Sequence, residues 1–157
     1  MPPDWIFEHC VQCDVTPEFA WDFWTDVSHW ALDADVKSIE IDGAFAAGTR
    51  GVTHSKSSGR LEWRIAEAQF GKAAIEFPLP GAIGRFEWTF EKAAPGTRIT
   101  QRCTLEGDRA SVYAKDVGPT LEAGIPEGMR KLADAMEQAS RKPEKSDGEF
   151  SSRSGLL

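Results

Sequence analysis

Residues 16–51, TPEFAWDFWTDVSHWALDADVKSIEIDGAFAAGTRG, run without a gap from a helix start through an aromatic helix and a turn into a strand. Thr16 offers a capping hydroxyl, Pro17 fits the first helical position, and Glu18 lies beside the positive end of the helix dipole. Phe19 stands where a full capping box would carry Glu or Gln. Phe19, Phe23 and Val27 recur at a spacing of four with Ala20 and Trp24 beside them, a wide apolar face that must pack against something large. A second short helical turn around Ser28–Leu32 follows. Val36–Asp42 then reads as a strand with Ile39 and Ile41 on its apolar side, ending at Gly43 and the turn Ala47-Gly48-Thr49.

Upstream, residues 5–15 alternate, with Trp5, Phe7, His9, Val11, Cys13 and Val15 on one side, which predicts a half-buried strand. Downstream, strands are expected over Arg50–Lys56, Arg60–Phe70, Lys72–Pro78, Ile83–Lys92 and Thr97–Glu106, giving seven in all. Turn residues separate them: Ser57-Ser58-Gly59, Gly71, Pro80-Gly81 and Ala94-Pro95-Gly96-Thr97. Leu61, Trp63 and Ile65 oppose Glu62 and Arg64, and Phe86, Trp88 and Phe90 oppose Arg85, Glu87 and Glu91. One face of the sheet is therefore wet and the other covered. The cover is a last helix over Gly118–Ser140, where Leu121, Ile125, Met129, Leu132 and Met136 recur at spacings of three and four. Pro126, flanked by Gly124 and Gly128, predicts a kink or a break in it. One domain over residues 1–140 results, with residues 141–157, polar and rich in Ser, Lys, Glu and Gly, expected as a disordered tail.

This order, strand, two short helices, six antiparallel strands and a long C-terminal helix, resembles the START-like superfamily of polyketide cyclases and lipid-binding domains. The resemblance rests on Thr16-Pro17-Glu18 leading into Trp21 and Trp24, on Asp26 to Trp30, on the Phe45–Thr49 turn, and on Pro95–Thr100, and it covers residues 4–140. It implies an α+β helix-grip fold, a seven-stranded antiparallel curved sheet with two short helices and a long C-terminal helix enclosing a largely apolar cavity. These motifs specify fold rather than chemistry.

The 157 residues, 41% of them hydrophobic, suffice for one core without staples. The net charge is −7; residues 141–157 carry a net +1, which leaves −8 on residues 1–140. Such acidity opposes nucleic acid or anionic lipid as partners. No stretch approaches the roughly 20 apolar residues of a membrane span, so stable membrane insertion is not expected. MPPDWIFEH lacks a secretory signal, and three cysteines suit a reducing compartment, so a cytoplasmic location is expected. Nothing points to a cofactor, and oligomeric state is not legible.

Cys10-Val11-Gln12-Cys13 has a metal-binding or redox spacing, but residues three apart on a strand face opposite sides, so no metal site is expected. His54 shares a side with Val52 and would face the interior if Val52 is buried; His9 lies with Phe7 and Val11. Either could be an acid or base, or simply a hydrogen-bonded structural histidine. His29, beside Trp30, reads as structural. Gln101 stands between Ile99 and Cys103 on the inner side of the last strand. A buried unpaired amide costs about 1–3 kcal/mol, so it should either bond a neighbour such as His9 or orient a ligand. Trp63, Phe77, Phe86, Trp88 and Phe90 make either a packed core or the wall of a pocket. Candidate ligand contacts are His54, Trp63, Phe77, Trp88, Gln101, Leu121 and Ile125, with the Tyr113 hydroxyl at the pocket mouth. Three functions compete: a carrier or sensor of a small hydrophobic or aromatic molecule; a cyclase or dehydratase using a pocket histidine; and a co-chaperone-like interaction module, which would need an apolar outer face. Composition and spacing do not separate carrier from enzyme.

Overall fold

The computed structural model describes residues 4–32, 36–56 and 59–141. Strand β1, Trp5–Cys13, leads into helix α1, Pro17–Thr25, and a 3-10 helix, Val27–Leu32. Six strands follow: β2 Val36–Ile41, β3 Arg50–Ser55, β4 Gly59–Gln69, β5 Lys72–Leu79, β6 Ala82–Lys92 and β7 Thr97–Glu106. Helix α2, Ala110–Arg141, comes last. The strands form one antiparallel sheet in the order β1-β7-β6-β5-β4-β3-β2, the helix-grip arrangement implied by the resemblance. Register shifts in the β2–β3 and β4–β5 pairs supply the irregularities that let such a sheet curve.

Local chemistry sets the turns. The Phe19 N–H donates to Thr16 Oγ1 at 3.1 Å, so Thr16 caps α1 as its position suggests. The Asp26 carboxylate then accepts from the Ser28 N–H and hydroxyl, at 3.1 and 2.7 Å, and starts the 3-10 helix; these bonds hold its pKa below the usual carboxylate value. Between β6 and β7, Gly96 has φ +88, and a Cβ there would lie 2.2 Å from the Cys13 carbonyl oxygen, so only glycine lets this turn nest against the end of β1.

The core is densest where α2 crosses β1 and β7. Cys13, Ile99 and Met136 are fully buried there, and Ala133 is 1% exposed. On the opposite face Glu76 accepts from Arg64 and Arg85, each at 2.7 Å, and Arg85 also donates to Glu87 at 2.8 Å. The sheet therefore has the wet and covered faces its alternation predicts.

One expectation is corrected and another is narrowed. Helix α2 begins at Ala110 rather than Gly118. Its first turns carry only a small apolar face, in which Ala110, Tyr113 and Ala114 pack against Trp5, Leu79, Ala82 and Leu105; the Tyr113 hydroxyl, which donates to the Pro80 carbonyl at 2.8 Å, and Gly118 against the Trp5 ring add to it. Pro126 does not end the helix, which runs unbroken to Arg141. The carbonyl that loses its partner to Pro126 belongs to exposed Glu122, where water can replace the bond. The remainder of the polar C-terminal stretch, residues 142–157, lies outside the described residues, as do Ser57 and Ser58 of one predicted turn.

Candidate functional site

Away from the packed end, α2 and the sheet diverge around a cavity of about 550 Å³. Helix α2 makes its main approaches to β1, β7 and α1, while β3, β4, β5 and β6 supply the opposite wall. That wall is aromatic because consecutive inward positions on β4, β5 and β6 are Trp63, Phe77, Phe86 and Trp88. Phe77 and Phe86 stack with centroids 4.9 Å apart, and Trp30 and Trp63 approach to 5.2 Å. Trp24, 3% exposed, reaches from α1 to within 5.0 Å of the Trp88 ring and closes the end of the cavity.

Two glycines permit this wall. Gly51 pairs with Trp63, and Gly84 with Phe77. A Cβ on Gly51 would meet the Trp63 ring at 2.2 Å, and one on Gly84 would meet the Phe77 ring at 2.0 Å. Each ring thus folds flat across a neighbouring strand that offers no side chain. Trp63 is further fixed by its indole N–H, which donates to Thr53 Oγ1 at 3.0 Å, and Trp30 by donation to the Trp24 carbonyl at 2.7 Å.

Among these apolar groups sits Gln101, on β7 directly between Trp88 of β6 and His9 of β1. It is 8% exposed and lines the cavity, and its amide has no hydrogen-bond partner among the described residues. The neighbouring His9 does not bond it. The indole N–H of Trp24, also in the cavity wall, likewise lacks an acceptor among the described residues. Buried polar groups are normally paired, so these two mark the polar points of an otherwise apolar wall, open to a partner inside the cavity.

The predicted ligand contacts separate cleanly. Trp63, Phe77, Trp88, Gln101, Leu121 and Ile125 all line the cavity. His54 does not. Gly51 and Thr53 face inward on β3, opposite Trp63 and Leu61, whereas Val52 and His54 lie on the outer side, where the His54 ring is 3.1 Å from the exposed Glu40 carboxylate. The expectation that Val52 marks the inner side is therefore wrong by one residue, because glycine and threonine give no apolar signal. His9 points inward but lies on β1, beneath α2, and is not in the cavity wall. Tyr113 is likewise outside it, its hydroxyl being committed to Pro80. Cys10 is exposed and Cys13 buried, on opposite sides of β1.

His29, which its place beside Trp30 marks as structural, also lines the cavity. Its ring stacks on Phe23 with centroids 3.7 Å apart, and Nδ1 lies 2.7 Å from the Phe23 carbonyl. A carbonyl can only accept, so Nδ1 carries the hydrogen and Nε2 of the neutral ring is an acceptor. Nε2 has no partner among the described residues. Short 3-10 segments have no readable apolar face, and so nothing in the sequence pattern singles out this histidine.

Residues 4–139 match the model of the family described as polyketide cyclase / dehydrase and lipid transport. No curated protein matches the sequence. Among solved structures, one from Thermus thermophilus is 16% identical, with a TM-score of 0.69 over 87% of this chain and 99% of that one. Norcoclaurine synthase from Thalictrum flavum, in complex with dopamine and hydroxybenzaldehyde, is 10% identical, with a TM-score of 0.68 over 89% of each chain. The di-domain ARO/CYC BexL is 13% identical, with a TM-score of 0.68 over 88% of this chain and 50% of that one. At these identities the likeness is one of fold.

Proposed function

Because the chain belongs to the polyketide cyclase / dehydrase and lipid transport family, we propose that it binds a small aromatic molecule, carrying at least one polar oxygen, inside the cavity and acts as its carrier or sensor. The family and the fold support a hydrophobic-ligand-binding or cyclase-type role. The single observation that carries the finer reading is Gln101: an amide 8% exposed, without a protein partner among the described residues, in an aromatic-walled cavity. A ligand carbonyl or hydroxyl would satisfy it, and the Trp24 N–H offers a second donor to the same kind of atom. Flat rings would supply the remaining contact, since offset or edge-on packing against Trp63, Phe77 and Trp88 is favourable beyond simple burial.

A second reading, cyclase or dehydratase chemistry, is favoured by one observation only. His54 and His9 lie off the cavity, but His29 is in its wall with Nε2 available as an acceptor. In that role His29 would take a proton from a ligand hydroxyl or an activated carbon while Gln101 holds the oxygen that gains charge. The interaction-module reading has no comparable support, since the outer sheet face carries the Arg64, Glu76, Arg85 and Glu87 network. Native mass spectrometry of the purified protein, followed by incubation with polyketides and aromatic carbonyl compounds, tests the two together. A bound molecule released unchanged supports the carrier; conversion that is lost in His29→Gln supports the enzyme; no binding by any compound overturns both.

A further inference from the structure

Gly124 and Gly128 lie one turn apart inside α2, and neither backbone geometry nor packing requires them to be glycine. Neither has a positive φ. A Cβ built on either meets no atom within 4 Å, unlike one on Gly118, which would meet Trp5 at 3.3 Å. Glycine is the poorest helix former after proline, so two of them, placed around Pro126, weaken this stretch with no structural return. Yet both line the cavity while being exposed to solvent, as do Thr120, Glu127 and Lys131 on the same side of the helix. Residues that are at once exposed and in a cavity wall mark where that cavity opens. Just inside this stripe lie the apolar Leu121, Ile125 and Met129, and the same cavity is lined from β7 by Gln101, whose buried amide has no partner among the described residues.

Resting on the ligand-binding reading above, we infer that the Thr120–Lys131 side of α2 is the portal of the cavity and that Gly124 and Gly128 set its bore. The missing side chains leave a slot suited to a flat, multi-ring aromatic molecule entering edge-on. Glu127 and Lys131, one turn apart on the rim, can each meet a polar substituent left at the mouth.

The test is stopped-flow binding of two probes, anilinonaphthalene sulfonate as the larger and naphthol as the smaller, to the wild type, Gly124→Leu, Gly128→Leu, the double Gly→Ala variant and an Ala123→Leu control. Ala123 is exposed and outside the cavity wall. Association and dissociation of the larger probe should slow at least about tenfold in the leucine variants, the smaller probe should be affected less, and the control should match the wild type. The double alanine variant should melt about 4 °C or more above the wild type, because only helix propensity changes, while still slowing the larger probe. Wild-type kinetics in correctly folded leucine variants would overturn the portal alone. Should a leucine variant misfold, unaltered probe kinetics in the more stable alanine variant would overturn it instead. A wild type that binds neither probe would overturn the ligand-binding reading and the portal with it.

Discussion

The two ends of the space between α2 and the sheet are built from the same helix and the same curved surface, yet one is solid and the other hollow. At the solid end small or flexible side chains, Cys13, Ala133 and Met136, let α2 settle onto β1 and β7 and bury Ile99 completely. At the hollow end large rigid rings stand on β4, β5 and β6, and the helix presents Gly124 and Gly128 where it could present side chains. Rings that brace one another cannot collapse into the gap, and glycines cannot fill it. Volume is thus withheld on both sides, and a native-like packing density is reached only at the first end.

This contrast can be broken most severely at the solid end. Ile99→Ala should lower stability by about 2–5 kcal/mol, as expected for emptying a fully packed site, whereas Leu121→Ala at the cavity edge should lower it by no more than about 1.5 kcal/mol because its side chain already borders a void. Urea denaturation of the two variants side by side measures the difference, and equal losses would deny that one end is hollow. Gly84→Ala comes next: its new methyl group collides with the Phe77 ring and should cost about 1–3 kcal/mol by the same assay. Gln101→Leu should do the opposite, leaving stability unchanged or raising it by about 1 kcal/mol, since an unpartnered buried amide is replaced by an apolar group.

The smallest expected effect near neutral pH, and one visible only in alkali, concerns the thiols. Burial pushes Cys13 up to about 12, helped by the nearby Glu137, Asp14 and Asp134 charges, and burial alone pushes Cys103 to about 12. Unfolded thiols ionise above about 9 while the folded ones stay protonated, so the stability tied to them is complete below pH 9 and declines as pH rises toward 12. Urea midpoints at a series of alkaline pH values should fall less steeply for Cys103→Ala than for the wild type. Thiol reagents should modify exposed Cys10 quickly and the other two only on unfolding.

The sequence makes the fold legible where local and periodic signals coincide. Thr16 caps its helix as its residue type demands, and the clean alternation of Leu61, Trp63, Ile65 and of Phe86, Trp88, Phe90 assigns the inner wall correctly. Gln101 stands out for the same reason, as a polar residue in an apolar register. What the pattern leaves out lies where the signal is weak. On β3 the inward positions are Gly51 and Thr53, so Val52 draws attention to the wrong face and takes His54 with it. Helix α2 hides its first turns because their apolar face is made of small alanines and one tyrosine, Ala110, Tyr113 and Ala114, and a tyrosine hydroxyl and a glycine contact share the work of holding them down. His29 owes its place in the wall to a carbonyl of α1, a tertiary relation that no spacing encodes. A cavity, moreover, is an absence of atoms, and only the arrangement of several elements together reveals it.

On the ligand-binding reading proposed above, the hollow end is kept for a molecule oriented by Gln101. The most direct measurement is the melting temperature of the wild type and of Gln101→Leu across a panel of multi-ring aromatic carbonyl and hydroxyl compounds. Preferential binding to the folded state must stabilise it, by about 2.7 kcal/mol at a hundredfold excess over Kd. A rise of several degrees is expected in the wild type for at least one compound, and a much smaller rise for the same compound in Gln101→Leu. No rise with any compound, or an equal rise in both proteins, would contradict that reading.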